Sequence, residues 1–147
     1  MNIYIASDHR GFKIENEIKD YLIQMGLTVY QSNVNHTDTD DYTDFAIELG
    51  EKVVLDDGAL GILICGTGIG MSIAANKVKG IRAARCVDVD DAFYAKNHND
   101  ANVICLGTDL SLDRMKEIID TFITTQRASE QRHINRVNKI IKYEDRS

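Results

Sequence analysis

Short, largely apolar runs at residues 3–6, 27–30, 60–65, 81–86 and 103–106, interrupted only by Thr28, Arg82 and Arg85, recur along a chain that is otherwise amphipathic. Runs this short, with no polar alternation, predict strands covered on both faces, as in a parallel sheet. Between them the apolar positions change to helical spacing: Ile14, Ile18, Leu22 and Met25, then Phe45, Leu49 and Val53, then Met115, Ile118, Ile119 and Phe122. Gly26, Gly58 and Gly80 fall where those helices should stop. Strand and helix therefore alternate. This predicts an α/β, Rossmann-like three-layer sandwich, with helices on both faces of the sheet and ligands beyond the C-terminal ends of the strands.

The 147 residues suit one domain, 1–147, and 44% apolar residues are enough for one substantial core. There are no repeats or linkers; the polar stretch 32–41 is the one long irregular loop. A net charge of −6 repels nucleic acid and anionic membranes over most of the surface, so an anionic ligand has to meet a local cluster of donors. The N-terminus lacks a signal pattern, and no apolar run approaches the roughly 20 residues that span a bilayer. These features read as a cytoplasmic protein. Cys65, Cys86 and Cys105 are odd in number and widely spaced, with no nearby Cys/His partners of zinc-site type, and are expected to be thiols.

The most informative stretch follows the third apolar run: Cys65, Gly66, Thr67, Gly68, Ile69 and Gly70, then a small-residue segment, 71–77, able to start a helix. Glycines let the backbone turn sharply and approach a ligand, and N–H groups at a helix N-terminus favour negative charge. The spacing is neither the dinucleotide fingerprint nor a Walker loop. A bare strand–helix connection uses glycines in the same way, so the loop alone assigns no ligand. Cys65 adds chemistry, because a thiol at a strand end beside a helix N-terminus can serve as base or nucleophile. Cys86 and Cys105 sit inside apolar patterns and read as small buried hydrophobes.

Asp8, His9 and Arg10 end the first run and so share a sheet edge with Cys65. Asp8 serves equally well, on local grounds, as a helix cap or a substrate ligand. His98 and Asn99 precede the fifth run, which puts them in a helix-to-strand loop at the other edge; a two-fold dimer would bring that loop to a partner's strand ends. A last helix, about 129–143, carries Arg132, Arg136 and Lys139 on one face and Ile134, Val137 and Ile141 on another. The basic stripe suits phosphate, with His133 beside it, although such stripes are commonly solvated faces.

As a set, Ser7-Asp8-His9-Arg10-Gly11, Cys65-Gly66-Thr67-Gly68-Ile69-Gly70, Asn76-Lys77, Gly80-Ile81-Arg82, His98-Asn99-Asp100, Asn102-Val103 and Arg132-His133-x-x-Arg136 resemble the sugar-phosphate isomerase family. That family contains B-type ribose-5-phosphate isomerase and the subunits of galactose-6-phosphate isomerase, and the resemblance covers nearly the whole chain. It implies a single domain with a five-stranded parallel sheet and a homodimer, or a tetramer built from it, with shared active sites. The last helix would reach toward the partner subunit, and no metal or organic cofactor is implied. Cys65 would be the base that moves a proton between carbons 1 and 2 through a cis-enediolate. Thr67 would assist proton traffic, and the backbone of Gly66, Gly68, Ile69 and Gly70 would stabilise the oxyanion. His98 with Asp8 would open the furanose ring, Asn99 would bind hydroxyls, and His9, Arg132, His133 and Arg136 would hold the phosphate.

Having both the cysteine loop and the His-Asn-Asp motif points to ribose 5-phosphate and ribulose 5-phosphate rather than galactose 6-phosphate. Two residues depart from the pattern: Asp109 stands where a phosphate-binding arginine is expected, and Thr43 replaces a common proline. An aspartate beside a phosphate repels it. Either that loop turns away, Arg10 or Arg114 compensates, or the substrate is different. A six-carbon sugar phosphate such as allose 6-phosphate is the near alternative, and a noncatalytic sugar-phosphate or flavin-binding module the distant one.

Overall fold

The structure is a computed structural model and describes residues 1–146. Five parallel strands form one sheet: β1 (Asn2–Ser7), β2 (Thr28–Gln31), β3 (Leu60–Cys65), β4 (Ala83–Arg85) and β5 (Val103–Gly107), in the order β2-β1-β3-β5-β4. The helices are α1 (Phe12–Gln24), α2 (Tyr42–Leu55), α3 (Ile69–Ala75), α4 (Val89–Asn99), α5 (Leu112–Thr124) and α6 (Gln131–Glu144). No helix among the described residues is long and apolar enough to cross a membrane.

Two apolar layers follow from the two-residue period of the strands. Ile3, Ile5, Ile62, Ile64, Ile104 and Leu106 face α1, α4 and α5, where Ile18, Leu22, Met115, Ile118 and Phe122 close the layer. Ala6, Leu63, Cys65, Val103 and Cys105 face α2 and α3, against Phe45, Leu49, Val53, Met71 and Ala75. Full burial of a side chain such as Phe122 stabilises the fold by roughly 1.5–3 kcal/mol. The predicted three-layer sandwich is thus present. Gly26 follows the α1 cap with φ of 87°, the left-handed backbone a helix end needs, whereas Gly58 and Gly80, with φ of 80° and 94°, lie in turns beyond the ends of α2 and α3, which are capped by Asp56 and Asn76.

The fourth strand is shorter than the apolar run 81–86 predicts. Ile81 and Cys86 are buried, but in opposite layers and outside the β4 ladder, so the run records burial rather than pairing. Beside β4, side chains replace a neighbouring strand. Asn76 accepts from the Ala83 N–H at 2.8 Å and donates to the Ala83 carbonyl at 2.9 Å. Asn102 accepts from the Arg82 N–H at 2.8 Å and donates to the Gly80 carbonyl at 2.9 Å. Residues 32–41 form the expected irregular loop, crossing from β2 to α2.

From β1 the chain runs outward to β2, then crosses back to place β3 on the other side of β1. The point between β1 and β3 is where strand order reverses, and beyond the strand ends there a crevice opens.

Candidate active site

Ser7 pairs with Ile64 in the β1–β3 ladder, and the Asp8 N–H donates to the Ile64 carbonyl at 3.3 Å, so Asp8 and Cys65 leave the sheet side by side. Both side chains are 5% exposed at the floor of a cleft of about 590 Å³. Its walls are His9, Arg10, Asp40, Asp41, Tyr42 and the loop of Gly66, Thr67, Ile69 and Gly70, with Ile73 beyond. Asp8 does not cap α1. The N-cap is Gly11, and the Asp8 carboxylate accepts instead from the Arg10 N–H at 3.0 Å, fixing the turn that exposes His9 and Arg10.

The glycine loop has a reason for each close approach. Gly68 has φ of 79°, and a Cβ there would lie 3.1 Å from the Cys105 carbonyl oxygen. Its N–H donates to the Cys65 Sγ at 3.1 Å. A Cβ on Gly66 would stand 2.9 Å from Arg10 Nη1, so the guanidinium lies directly over the loop, and a Cβ on Gly70 would strike the Tyr42 ring. The Thr67 hydroxyl accepts from the Ile69 N–H at 3.2 Å and is exposed to the cleft side. α3 begins at Ile69, earlier than the segment 71–77, and its first-turn N–H groups have no partner within the helix.

The other two cysteines are inert. Burial and the nearby Asp91 and Asp88 push the Cys86 thiol up to about 12, and burial, with Cys65 and Cys86 nearby, raises Cys105 well above its usual value. All three thiols are unpaired.

Asp109 is exposed and its carboxylate folds over Gly107, against the Thr67 backbone, outside the residues that line the cleft. Of the ways to accommodate it, the loop turning away and Arg10 taking the cation's place both match this geometry. Three residues of the site were missed in the sequence. Arg85, at the C-terminal end of β4, donates through Nε to the Thr67 carbonyl at 2.8 Å; the strand-end rule could have found it. Asp40 lies 2.6 Å from His9 Nδ1, and Tyr42 lies over Gly70.

His98, Asn99, Arg132, His133 and Arg136 are gathered elsewhere. His98 and Asn99 are the last residues of α4 itself rather than loop residues, and Asp100 caps the helix with φ of 47°. The Asn99 amide donates to the Tyr94 carbonyl at 3.1 Å. α6 packs on α4, and the irregular segment before it is tied to α4 by Ala128 N–H to the Asn97 carbonyl at 2.8 Å. His133, 7% exposed, stacks on His98 with ring centroids 4.0 Å apart and planes 12° from parallel. Burial, with His98 and Arg132 near it, holds the His133 pKa below its usual value against the pull of Glu130. Arg132 and Arg136 are exposed beside it. Because α4 leads into β5, this cluster sits at the N-terminal edge of the sheet, opposite Cys65.

A parallel α/β sheet with a thiol, a carboxylate, an imidazole and a guanidinium around a crevice at its switch point defines a small-molecule site of the doubly wound class. The chain matches the Ribose/Galactose Isomerase family model over residues 3–140, and it belongs to that family. Ribose-5-phosphate isomerase B of Mycobacterium tuberculosis is 36% identical over 146 residues, covering 98% of this chain and 90% of that one. The structure of ribose-5-phosphate isomerase B from Mycoplasma genitalium with bound ribulose-5-phosphate matches with a TM-score of 0.92 and 40% identity, over 99% and 97% of the two chains. That of the Clostridium thermocellum ribose-5-phosphate isomerase B matches with a TM-score of 0.89 and 41% identity, over 98% and 97%.

Proposed function

We propose that this protein is a cytoplasmic aldose–ketose isomerase that interconverts ribose 5-phosphate and ribulose 5-phosphate. The observation that carries the reading is the pairing of Cys65 with Asp8 on the floor of the cleft, beside a glycine loop that lines the same space and whose Gly68 N–H donates to the Cys65 Sγ. Family membership and the names of the relatives supply the substrate.

In this mechanism the furanose opens first: a base takes the proton of the anomeric hydroxyl while an acid protonates the ring oxygen. Asp8 and His98 fill those roles, with Asn99 on the sugar hydroxyls. The Cys65 thiolate then removes the proton from carbon 2 of the open aldose, giving a cis-enediolate. The same proton, now on sulfur, is delivered to carbon 1. Thr67 shuttles the proton between the two oxygens, and the N–H groups of Gly66, Gly68, Ile69 and Gly70 stabilise the enediolate charge. His9, Arg132, His133 and Arg136 hold the phosphate.

His98 and the α6 cluster lie across the sheet from Cys65, so the complete site needs two copies of the chain. A homodimer in which α6 of one copy reaches the other's cleft satisfies this, with the whole of 1–147 acting as one domain.

The test is ketose formation from ribose 5-phosphate by the purified protein, with allose 6-phosphate and galactose 6-phosphate in parallel. Higher kcat/KM for ribose 5-phosphate is the expected result. A preference for either hexose phosphate replaces the substrate, and binding without turnover replaces the enzyme with a binding module.

A further inference from the structure

The loop 32–41 carries a group that the isomerisation chemistry does not require. The Asp40 carboxylate, 6% exposed, is shared between two imidazoles. Its Oδ1 accepts from the His9 backbone N–H at 2.9 Å and lies 2.6 Å from His9 Nδ1. Its Oδ2 accepts from the Thr37 N–H at 3.2 Å and lies 3.1 Å from His36 Nδ1. His36 is wedged between two aromatic rings, with centroids 4.1 Å from Phe12 and 4.8 Å from Phe45. The carboxylate is therefore anchored by a packed ring and by two backbone amides.

Burial pushes the Asp40 pKa up, but hydrogen bonds from His9 side chain and backbone, from Thr37 and from His36 outweigh it and hold the group below the usual carboxylate value. An ionised carboxylate only accepts hydrogen bonds. The hydrogen in the 2.6 Å contact must then belong to His9, on Nδ1. Free imidazoles favour the other tautomer, with the hydrogen on Nε2, so the contact selects a form that His9 would not otherwise prefer. One oxygen holding both the backbone N–H and Nδ1 also fixes the orientation of the ring. The nitrogen left over is Nε2, on a side chain 34% exposed in the wall of the cleft.

We propose that Asp40 is a positioning residue: by holding the Nδ1–H of His9 it aims Nε2 into the cleft and favours the doubly protonated imidazole, whose Nε2–H donates to the phosphate of the substrate, with His36 as the wedge that holds Asp40 in place. The anion-binding part of this rests on the sugar-phosphate reading above; the hydrogen on Nδ1 does not. Carboxylates that orient a functional imidazole in this way change affinity or activity about 10- to 100-fold when removed at metal sites, and a similar scale is expected here.

Two measurements separate the claims. The chain has four histidines, so a protein labelled with 15N-histidine gives a spectrum that single His→Ala variants assign. With inorganic phosphate bound, His9 should carry hydrogen on both Nδ1 and Nε2, and in Asp40→Ala the hydrogen on Nδ1 should be lost. A wild-type His9 whose Nδ1 carries no hydrogen overturns the proposal, whatever the substrate is. Kinetically, Asp40→Ala should raise KM for ribose 5-phosphate about tenfold with kcat little changed, and should weaken inhibition by inorganic phosphate by a similar factor. In a His9→Ala background the same substitution should add nothing. An equal loss in both backgrounds would show that Asp40 acts through the loop rather than through His9, and overturns the proposal while leaving the isomerase reading intact.

Discussion

The Gly68 N–H donates to the Cys65 Sγ across 3.1 Å, so the loop that crosses the cleft is tied to the thiol beneath it. The bond fixes the position of the sulfur on the cleft floor. The φ of 79° at Gly68 is what aims the N–H, and the Cys105 carbonyl leaves no room for a Cβ there. Cys65→Ala should lower kcat about 10²- to 10⁴-fold, the usual scale for a lost general base, with the fold unchanged by circular dichroism. Cys86→Ala, at a buried thiol on the opposite layer, should keep normal turnover. Full activity in Cys65→Ala would remove the thiol from the mechanism.

Glu15 is 1% exposed and accepts from the Ser7 hydroxyl at 2.7 Å and the Gln31 amide at 2.6 Å. Burial raises its pKa above 4.5 despite those bonds and the nearby His36. A carboxyl whose folded pKa is raised contributes stability that is complete below the unfolded value and is lost as pH rises through the folded one. Relative to Glu15→Gln, the wild-type protein should therefore lose stability as pH is raised from about 4.5 toward neutrality. Urea midpoints of the two proteins across that range measure the difference; parallel curves would show that Glu15 titrates normally.

The pairing of Asp8 with Cys65 was legible in the sequence because it depends only on strand alternation. Two runs that end in polar residues, on adjacent parallel strands, must deliver them to one edge. The partners of those residues were not. Asp40 meets His9 across 31 positions, from a loop with no periodicity to register it. α4 gave a weak signal because Phe93 and Tyr94 are exposed, which blurs its apolar face and hid that His98 and Asn99 end a helix. Asn76, Arg82 and Asn102 stood out as motif residues, yet here they fasten β4 and the Asp100 turn: the Arg82 Nη2 donates to the Asp100 carbonyl at 2.8 Å. A motif in sequence does not separate a residue that touches substrate from one that braces the site.

Asp109 and Arg10 can be told apart by charge. Asp109 is folded over Gly107, whereas the Arg10 guanidinium lies over Gly66 in the cleft and makes no ion pair with a carboxylate among the described residues. Arg10→Gln should raise KM for ribose 5-phosphate about tenfold, the scale of one lost charge-assisted hydrogen bond. Asp109→Asn should change it less than about twofold, as expected for a solvated charge outside the cleft. The reverse ranking would place the substrate's phosphate at Asp109.

The separation of Cys65 from His98 allows a test that needs no structure of the assembly. Cys65→Ala and His98→Ala should each be inactive alone. If a site takes its thiol from one chain and its imidazole from the other, a hybrid dimer of the two variants has one site with both defects and one with neither. Unfolding and refolding an equal mixture gives hybrids as half of the dimers, so activity should return to about a quarter of the wild-type level. If each chain builds its site alone, every site in the mixture keeps one defect and no activity returns. Mass spectrometry of the refolded mixture verifies that hybrids have formed, which makes a null activity decisive against shared sites.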